Sequence, residues 1–493
     1  MNDDTPPFPR AAPLRHWGAC ALLTLAGCAS MAPPYEAPDL PVPADYPDDA
    51  PRAASENSQP VAATGWRDYF ADPQLRALIE AALDNNRDLR LAVLRAEEAR
   101  AAYGIQRADL LPTLGANAEA TRSRTPADLS FTGQPLVGSS YQVNLGVSAW
   151  ELDFWGRVRS LNDAALQSYL ASDAARQAAT VNLVRQVADG WLALREYDER
   201  IALARATVAS RAESLRIFSR RVQVGSTSRL DLIQVETLLT QAQTLGAQLE
   251  QARAQQAHAL ALLVGAPVDL RPLPQSQPGA DAPLPPLRAG LPSELLAQRP
   301  DIVAAEHQLR AAHASIGAAR AAFFPNVRLT AALGTASAEL DGLFASGSQA
   351  WSFAPSLSLP LFDGGRNQAN LDLAWARRNQ AVARYEQTVQ TAFREVADAL
   401  AAQQWLATQV GIQQTELAAQ TERARLAKLR YDNGAAPFLD VLDSQRSLLA
   451  AEQQLAQTRR ALLSSRVSLY AALGGGPQDT APAIPSPSAL PTH

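Results

Sequence analysis

The sequence predicts an α+β membrane protein in which one long unit occurs twice, each copy combining membrane strands with coiled-coil helical hairpins. Three observations carry this. The chain repeats itself internally, it holds strand-period segments of membrane length, and it contains two helical stretches longer than any globular core needs. Landmarks recur in one order at an offset of about 209 to 213 residues. Asp88-Leu89 with Leu110-Leu111-Pro112 returns as Asp301-Ile302 with Phe323-Phe324-Pro325. Gly156-Arg157 returns as Gly365-Arg366, and Val187-Ala188-Asp189 as Val396-Ala397-Asp398. Gly225 with Asp231 returns as Gly434 with Asp440. Two long copies point to one pseudo-symmetric body, since a solenoid shows many short repeats.

Composition narrows the class. Hydrophobic residues are 47% of the 493, yet alanine supplies many of them and aromatics are only 6%, which suits thin packing between long helices. A formal net charge of −5 without a basic stripe gives no sign of nucleic-acid binding, and no nucleic-acid partner is expected. At the N-terminus Arg10, Arg15 and His16 precede a short apolar run from Gly18 to Ala26, the pattern of a signal-peptide core. It ends in Leu25-Ala26-Gly27-Cys28, which looks like a bacterial lipobox: small residues fit the peptidase, and the Cys28 thiol accepts the lipid. Cys20, with Trp17 three positions back, is the poorer candidate. Residues 1–27 are then a signal peptide, and 28–65 a lipidated, Pro-rich tether. Ala29 and Ser30 follow Cys28, and neither is the Asp that, at the second mature position, signals inner-membrane retention in lipoprotein sorting, so the outer membrane is the expected address. No stretch reaches about 18 consecutive apolar residues, so any crossing of a membrane must use strands.

The first copy spans 66–270. Asp72-Pro73 opens a short helix, and a second runs from about Asn86 to Asp109. Strands are expected at about 113–124 and 141–151; in the latter Tyr141, Val143, Leu145, Val147 and Ala149 alternate with polar or small residues. A lone Gly190 interrupts a helix from about 157 to 224, which at 1.5 Å per residue is about 100 Å long. Gly225 ends it, and a return helix covers about 228–264 with Val235, Leu238, Ala242, Leu245, Leu249 and Ala252 at coiled-coil spacing. A Pro-rich linker, 271–291, joins the second copy at 292–476. There the strands are expected at about 326–335 and 351–362, and the helices at about 366–433 and 437–473, turning at Gly434. Pro437 suits the first helical turn. Val441, Leu448, Leu455, Leu462 and Leu469 recur every seven residues, the spacing that supercoils helices. A Pro-rich tail, 477–493, closes the chain.

Period two with one polar face also fits a water-soluble half-buried sheet; the lipobox favours the membrane. Four strands cannot close a barrel, and open edges leave N–H and C=O groups unpaired in lipid at several kcal/mol each. Copies must therefore join: two would give eight strands, three would give twelve and a lumen.

Chemistry is sparse. His307 and His313 lie six apart on a helix, off the three or four spacing of a shared face, so no metal site is expected. No nucleophile elbow, P-loop, CxxC or HExxH is present, and no catalytic role is expected.

The lipobox, Trp150-Glu151-Leu152-Asp153, the run from Leu359 to Arg366, Arg430-Tyr431-Asp432-Asn433-Gly434 and Leu442-Asp443-Ser444-Gln445-Arg446 together resemble the TolC/OprM-type outer membrane efflux factors, in their NodT-type lipoprotein branch. The resemblance covers about residues 20 to 476. It implies a homotrimer with a twelve-stranded β-barrel in the outer membrane, continuous with a periplasmic α-helical barrel. It also implies a passive exit duct for small molecules such as drugs, served by a resistance-nodulation-division (RND) inner-membrane pump and a periplasmic adaptor. No cofactor is implied beyond the lipid on Cys28. On this resemblance Leu439 and Asp443 face the axis of a periplasmic gate, and Arg430, Tyr431 and Arg446 make contacts that hold it closed. Three Asp443 carboxylates around one axis would favour cations. Competing readings are the outer membrane channel of a type I (ABC) secretion system, a periplasmic adaptor and a structural coiled-coil lipoprotein. The last two are disfavoured by two hairpins and four strands.

Overall fold

The computed structural model describes residues 30–39, 41–43, 59–60, 64–271, 284–285, 287–288, 296 and 298–476. Cys28, the signal peptide, most of the linker and the tail lie outside the described residues. The principal elements are α1 (Trp66–Tyr69), α2 (Pro73–Asn85), α3 (Arg87–Ala108), β1 (Leu114–Thr125), β2 (Leu136–Glu151), α4 (Arg157–Gln223) and α5 (Arg229–Val264). They continue with α6 (Pro300–Ala321), β3 (Asn326–Ser337), β4 (Gln349–Ser358), α7 (Arg366–Asp432) and α8 (Phe438–Ala472). Two-residue strands, Gln59–Pro60 and Leu287–Arg288, also pair in parallel. Among the described residues no helix is long and apolar enough to cross a membrane. The chain divides into two compact units, with boundaries near residues 39, 95, 171, 304 and 385.

The first unit holds the sheet, antiparallel throughout in the order β1-β2-β3-β4. Paired residues project to the same side, so the register sorts the side chains. One face collects Ala116, Leu145, Leu333 and Trp351, flanked by Leu114, Val147, Ala331 and Phe353, with Leu329 and Leu357 beyond. The other collects Asn117, Glu119, Asn144, Gln142, Thr330, Ser352 and Ser356. The apolar face is bare: Leu145 is 57%, Leu333 58% and Trp351 76% exposed. A continuous apolar patch of this kind belongs against lipid or another surface. β1 and β4 are open edges, and the one proline in the sheet, Pro355, sits on edge strand β4, where a missing N–H is tolerated.

The strands differ from expectation in three places. β2 begins at Leu136 rather than near 141, because Val137 and Ser139 are held by pairing to Arg124 and Arg122 where alternation gives no signal. β4 ends at Ser358, short of 362, because Pro360 has no N–H to donate and Asp363 already caps the next helix, accepting from Gly365 N at 2.9 Å and Asn367 N at 2.8 Å. A bulge between Val147 and Trp150 breaks the alternation that Ala149 was expected to continue. Ala149 sits at φ 51°, its N–H donating to Thr330 Oγ1 at 3.1 Å. The same unit docks residues 30–39 on α6. His313 Nε2 donates to the Pro33 carbonyl at 2.8 Å, the Tyr35 ring meets His313 edge-on at 5.6 Å, and Arg310 lies 5.1 Å over Tyr35.

The second unit is a helical body. Asp72 caps α2 by accepting from Gln74 N and Leu75 N at 2.8 and 3.0 Å. The single turn α1, unmarked by any periodicity, buries Trp66 and Tyr69; Tyr69 stacks on Tyr470 at 4.6 Å. Along α4 and α5, Ala204 is fully buried beside Ile201 and Leu249, so small residues set the close approach. Gly190 belongs to the same logic: a Cβ there would meet Leu260 and Gln256 at 3.2 Å. α8 packs on two neighbours. Gln453 Oε1 accepts from Arg200 Nε of α4 at 2.7 Å, and Asp443 accepts from Arg423 of α7. It therefore carries a second seven-residue stripe, Leu442, Leu449 and Ala456, as buried as the expected Val441, Leu455 and Leu469.

One half-buried carboxylate in α4 titrates away from its ordinary range. Asp189 accepts from Arg185 at 3.2 Å, yet burial pushes its carboxyl above the ordinary range. A raised folded-state value favours the protonated form, so this group stabilises below its unfolded titration and loses that contribution as pH rises through the folded value. Asp189→Asn is therefore expected to raise the thermal midpoint at pH 7, with the gain vanishing below about pH 4. Paired melting curves across pH check this; a lower midpoint at pH 7 would refute it.

Candidate functional site

The candidate site is the α7–α8 turn and the helix ends beside it. α7 stops because Gly434 adopts φ 73°, a conformation that costs little without a Cβ, and its N–H donates to the Tyr431 carbonyl at 2.9 Å. Ala435 N then donates to the Arg430 carbonyl at 2.8 Å. Gly225 ends α4 with the same φ of 73°. The following starts differ. Ser228 and Asp231 form a reciprocal capping box on α5, and the hydroxyls of Ser228 and Thr227 hold the Asp231 carboxyl below its ordinary value. Pro437 takes the N-cap position of α8 rather than its first turn, and gives it no side-chain cap.

Asp443 is the centre of charge. Its Oδ1 accepts from Arg446 Nη2 at 2.5 Å and its Oδ2 from Arg423 Nη2 at 2.7 Å. Arg446 is a neighbour on α8, whereas Arg423 reaches across from α7 and ties the hairpin together. Leu439 is 56% exposed one turn before Asp443. Arg423, Arg430, Leu439, Asp440, Asp443 and Arg446 line one open groove of about 900 Å³. Arg430 also donates to the Ala435 carbonyl at 3.3 Å across the turn.

Tyr431 points elsewhere. Its hydroxyl accepts from the Arg221 guanidinium at the end of α4, and its ring lies 4.8 Å from Phe438. Phe438 packs 4.2 Å from Phe218, over a core of Phe218, Val235 and Leu442. The expected site residues thus fall into two groups. Leu439, Asp443, Arg446 and Arg430 share the groove, and Tyr431 joins the two helix ends. Arg423 and Arg221 were missed. Arg423 and Asp443 flank Gly434 at nearly equal sequence distances, as partners across a hairpin must, and Arg221 is the repeat counterpart of Arg430.

The family model for outer membrane efflux proteins matches residues 78–266 and 291–475. The chain is 44% identical over 460 residues to the solvent efflux pump outer membrane protein SrpC of Pseudomonas putida, covering 92% of this chain and 97% of that protein. It is 45% identical over 463 residues to the outer membrane protein OprJ of Pseudomonas aeruginosa, covering 93% and 96%. Among solved structures it superposes on the open state of the Neisseria gonorrhoeae MtrE outer membrane channel with a TM-score of 0.80 and 41% identity, covering 91% of this chain and 98% of that one. Fold and matches together define a transport protein of the outer membrane. The chain belongs to the outer membrane efflux protein family, and its work is efflux across that membrane.

Proposed function

We propose that three copies of this chain close a twelve-stranded barrel, each donating the sheet β1-β2-β3-β4, and that the duplicated helical hairpins continue it as a periplasmic tube. The observation that carries this is the register: one face bare and apolar through its middle rungs, the other polar, and two unpaired edges. Such a sheet is stable in lipid only when each edge meets the complementary edge of another copy. Three copies leave a lumen lined by Asn117, Gln142, Asn144, Thr330 and Ser352, whereas two would fill it with side chains. Light scattering of the detergent-extracted protein should give a three-chain mass. A monomer retaining full sheet content by circular dichroism would overturn the reading.

The duct is passive and takes small molecules from an RND-type inner-membrane pump through a periplasmic adaptor. Relatives named for solvent and toluene efflux support small organic cargo. The groove around Asp443 is its periplasmic gate. Cys28 carries the lipid anchor. Cys28→Ser is expected to abolish palmitate labelling and to slow delivery to the outer membrane, because the S-diacylglycerol and N-acyl chains on Cys28 anchor the chain before it inserts. Molecules that do assemble are expected to conduct normally, since the barrel itself then holds them in the membrane. Labelling that persists in the variant would remove Cys28 as the acceptor.

A further inference from the structure

The geometry points to a lipid-binding site on the outside of the barrel: Arg122 and Arg124 of β1 hold the phosphate groups of lipid A in the outer leaflet. This rests on the barrel reading above. Both arginines lie on the apolar face, since Arg122 pairs with Ser139 and Arg124 with Val137, in line with Ala120–Tyr141, Ala118–Val143 and Ala116–Leu145. Both are exposed, and neither has a hydrogen bond or ion pair among the described residues. Glu119, the nearest acidic residue on the strand, belongs to the opposite face.

Height decides the partner. From Val327 to Ser337 this face carries no charge, Thr335, Gln349 and Ser337 being its polar members at one end. It spans ten residue steps, about 34 Å along the strand and about 26 Å along the membrane normal at a tilt of about 40°. That matches the roughly 25 Å apolar band of a membrane barrel. Ser337 pairs with Tyr141, whose ring and hydroxyl suit the interface that ends such a band. Arg122 stands one rung beyond Tyr141 and Arg124 two, on the hairpin end away from the helices. Two guanidiniums on the lipid-facing side, just outside the apolar band and without a carboxylate, meet head groups. In the outer leaflet of an outer membrane the dense anions there are the lipid A phosphates, which a planar guanidinium fork binds in bidentate fashion.

The test uses the assembled protein in nanodiscs of phosphatidylcholine doped with bisphosphorylated or dephosphorylated lipid A, with retained lipid counted by native mass spectrometry. Wild type should retain the bisphosphorylated form, and Arg122→Ala with Arg124→Ala should reduce retention about thirtyfold, at roughly fivefold per charge. Arg122→Lys with Arg124→Lys should keep most of it, and millimolar inorganic phosphate should not displace it. Equal retention of both lipids, or an alanine pair that binds like wild type, overturns the inference. The three-chain mass of the same samples reports on the barrel separately, so a failed lipid site is distinguishable from a failed barrel.

Discussion

Leu333→Arg is expected to abolish assembly of the channel. Leu333 sits between Leu145 and Trp351 on the apolar face, on β3, which has a paired strand on either side. A lipid-facing arginine near the bilayer midplane costs about 2–4 kcal/mol per site. Three copies place three such charges in one barrel, so the cost is about 6–12 kcal/mol, comparable with the whole stability of a folded domain. The neighbouring polar face supplies the control. Ser352, opposite Ala332 on β4, faces the other way, and Ser352→Arg should assemble and alter only conductance. Membrane extracts analysed by mass in detergent check the pair. Assembly of Leu333→Arg at wild-type yield, or equal loss in both variants, would mean that the apolar face does not meet lipid.

The strands were legible where apolar residues alternate with polar or small ones, as from Tyr141 to Val147 and from Val327 to Leu333. They were illegible where the backbone departs from period two. Ser148 and Ala149 read as one more alternating pair, yet the bulge there turns the chain, and only the cross-strand partner Thr330 reveals it. The helices follow the same rule. The seven-residue stripe through Val441, Leu455 and Leu469 announced one partner for α8, but a helix wedged between two others needs a second stripe. Leu442, Leu449 and Ala456 supply it with residues that also occur on ordinary helix surfaces. The docking of residues 30–39 had no signal, because Tyr35, His313 and Arg310 meet only through folding.

At the turn, Gly434 and Asp443 could be read from local pattern and resemblance, since a helix stop and a polar residue on a seam are properties of short segments. Arg423 and Arg221 could not, because their meaning lies in which helix they face. Arg423 reads as one of several arginines on the last turns of α7, among them Arg425, which among the described residues pairs with its own neighbour Glu422 at 2.7 Å. Hairpin geometry separates the two: Arg423 faces α8 and reaches its carboxylate, and Arg425 does not.

That difference alters what the proposed gate should do. A ring of three unpaired Asp443 carboxylates would attract cations, but here each carboxylate is held by two guanidiniums, so the cluster of Arg423, Asp443 and Arg446 carries a net positive charge in each copy. Exposed pairs of this kind contribute under about 1 kcal/mol each to stability, so their removal should leave the hairpin folded. At the proposed three-fold axis their effect on the potential would be larger, because every change is made three times around one path. Arg423→Ala with Arg446→Ser should release the carboxylate, shift permeability several-fold toward cations and introduce block by divalent cations. Asp443→Ala should do the reverse, leaving both guanidiniums uncompensated and favouring anions. Reversal potentials in a potassium chloride gradient across planar bilayers measure both shifts on one scale. Unchanged selectivity in Asp443→Ala would place this carboxylate away from the conduction path, and with it the gate assigned to the groove. A cation shift in Asp443→Ala would instead show that another acidic residue of the groove, Asp440 or Glu422, sets the field there.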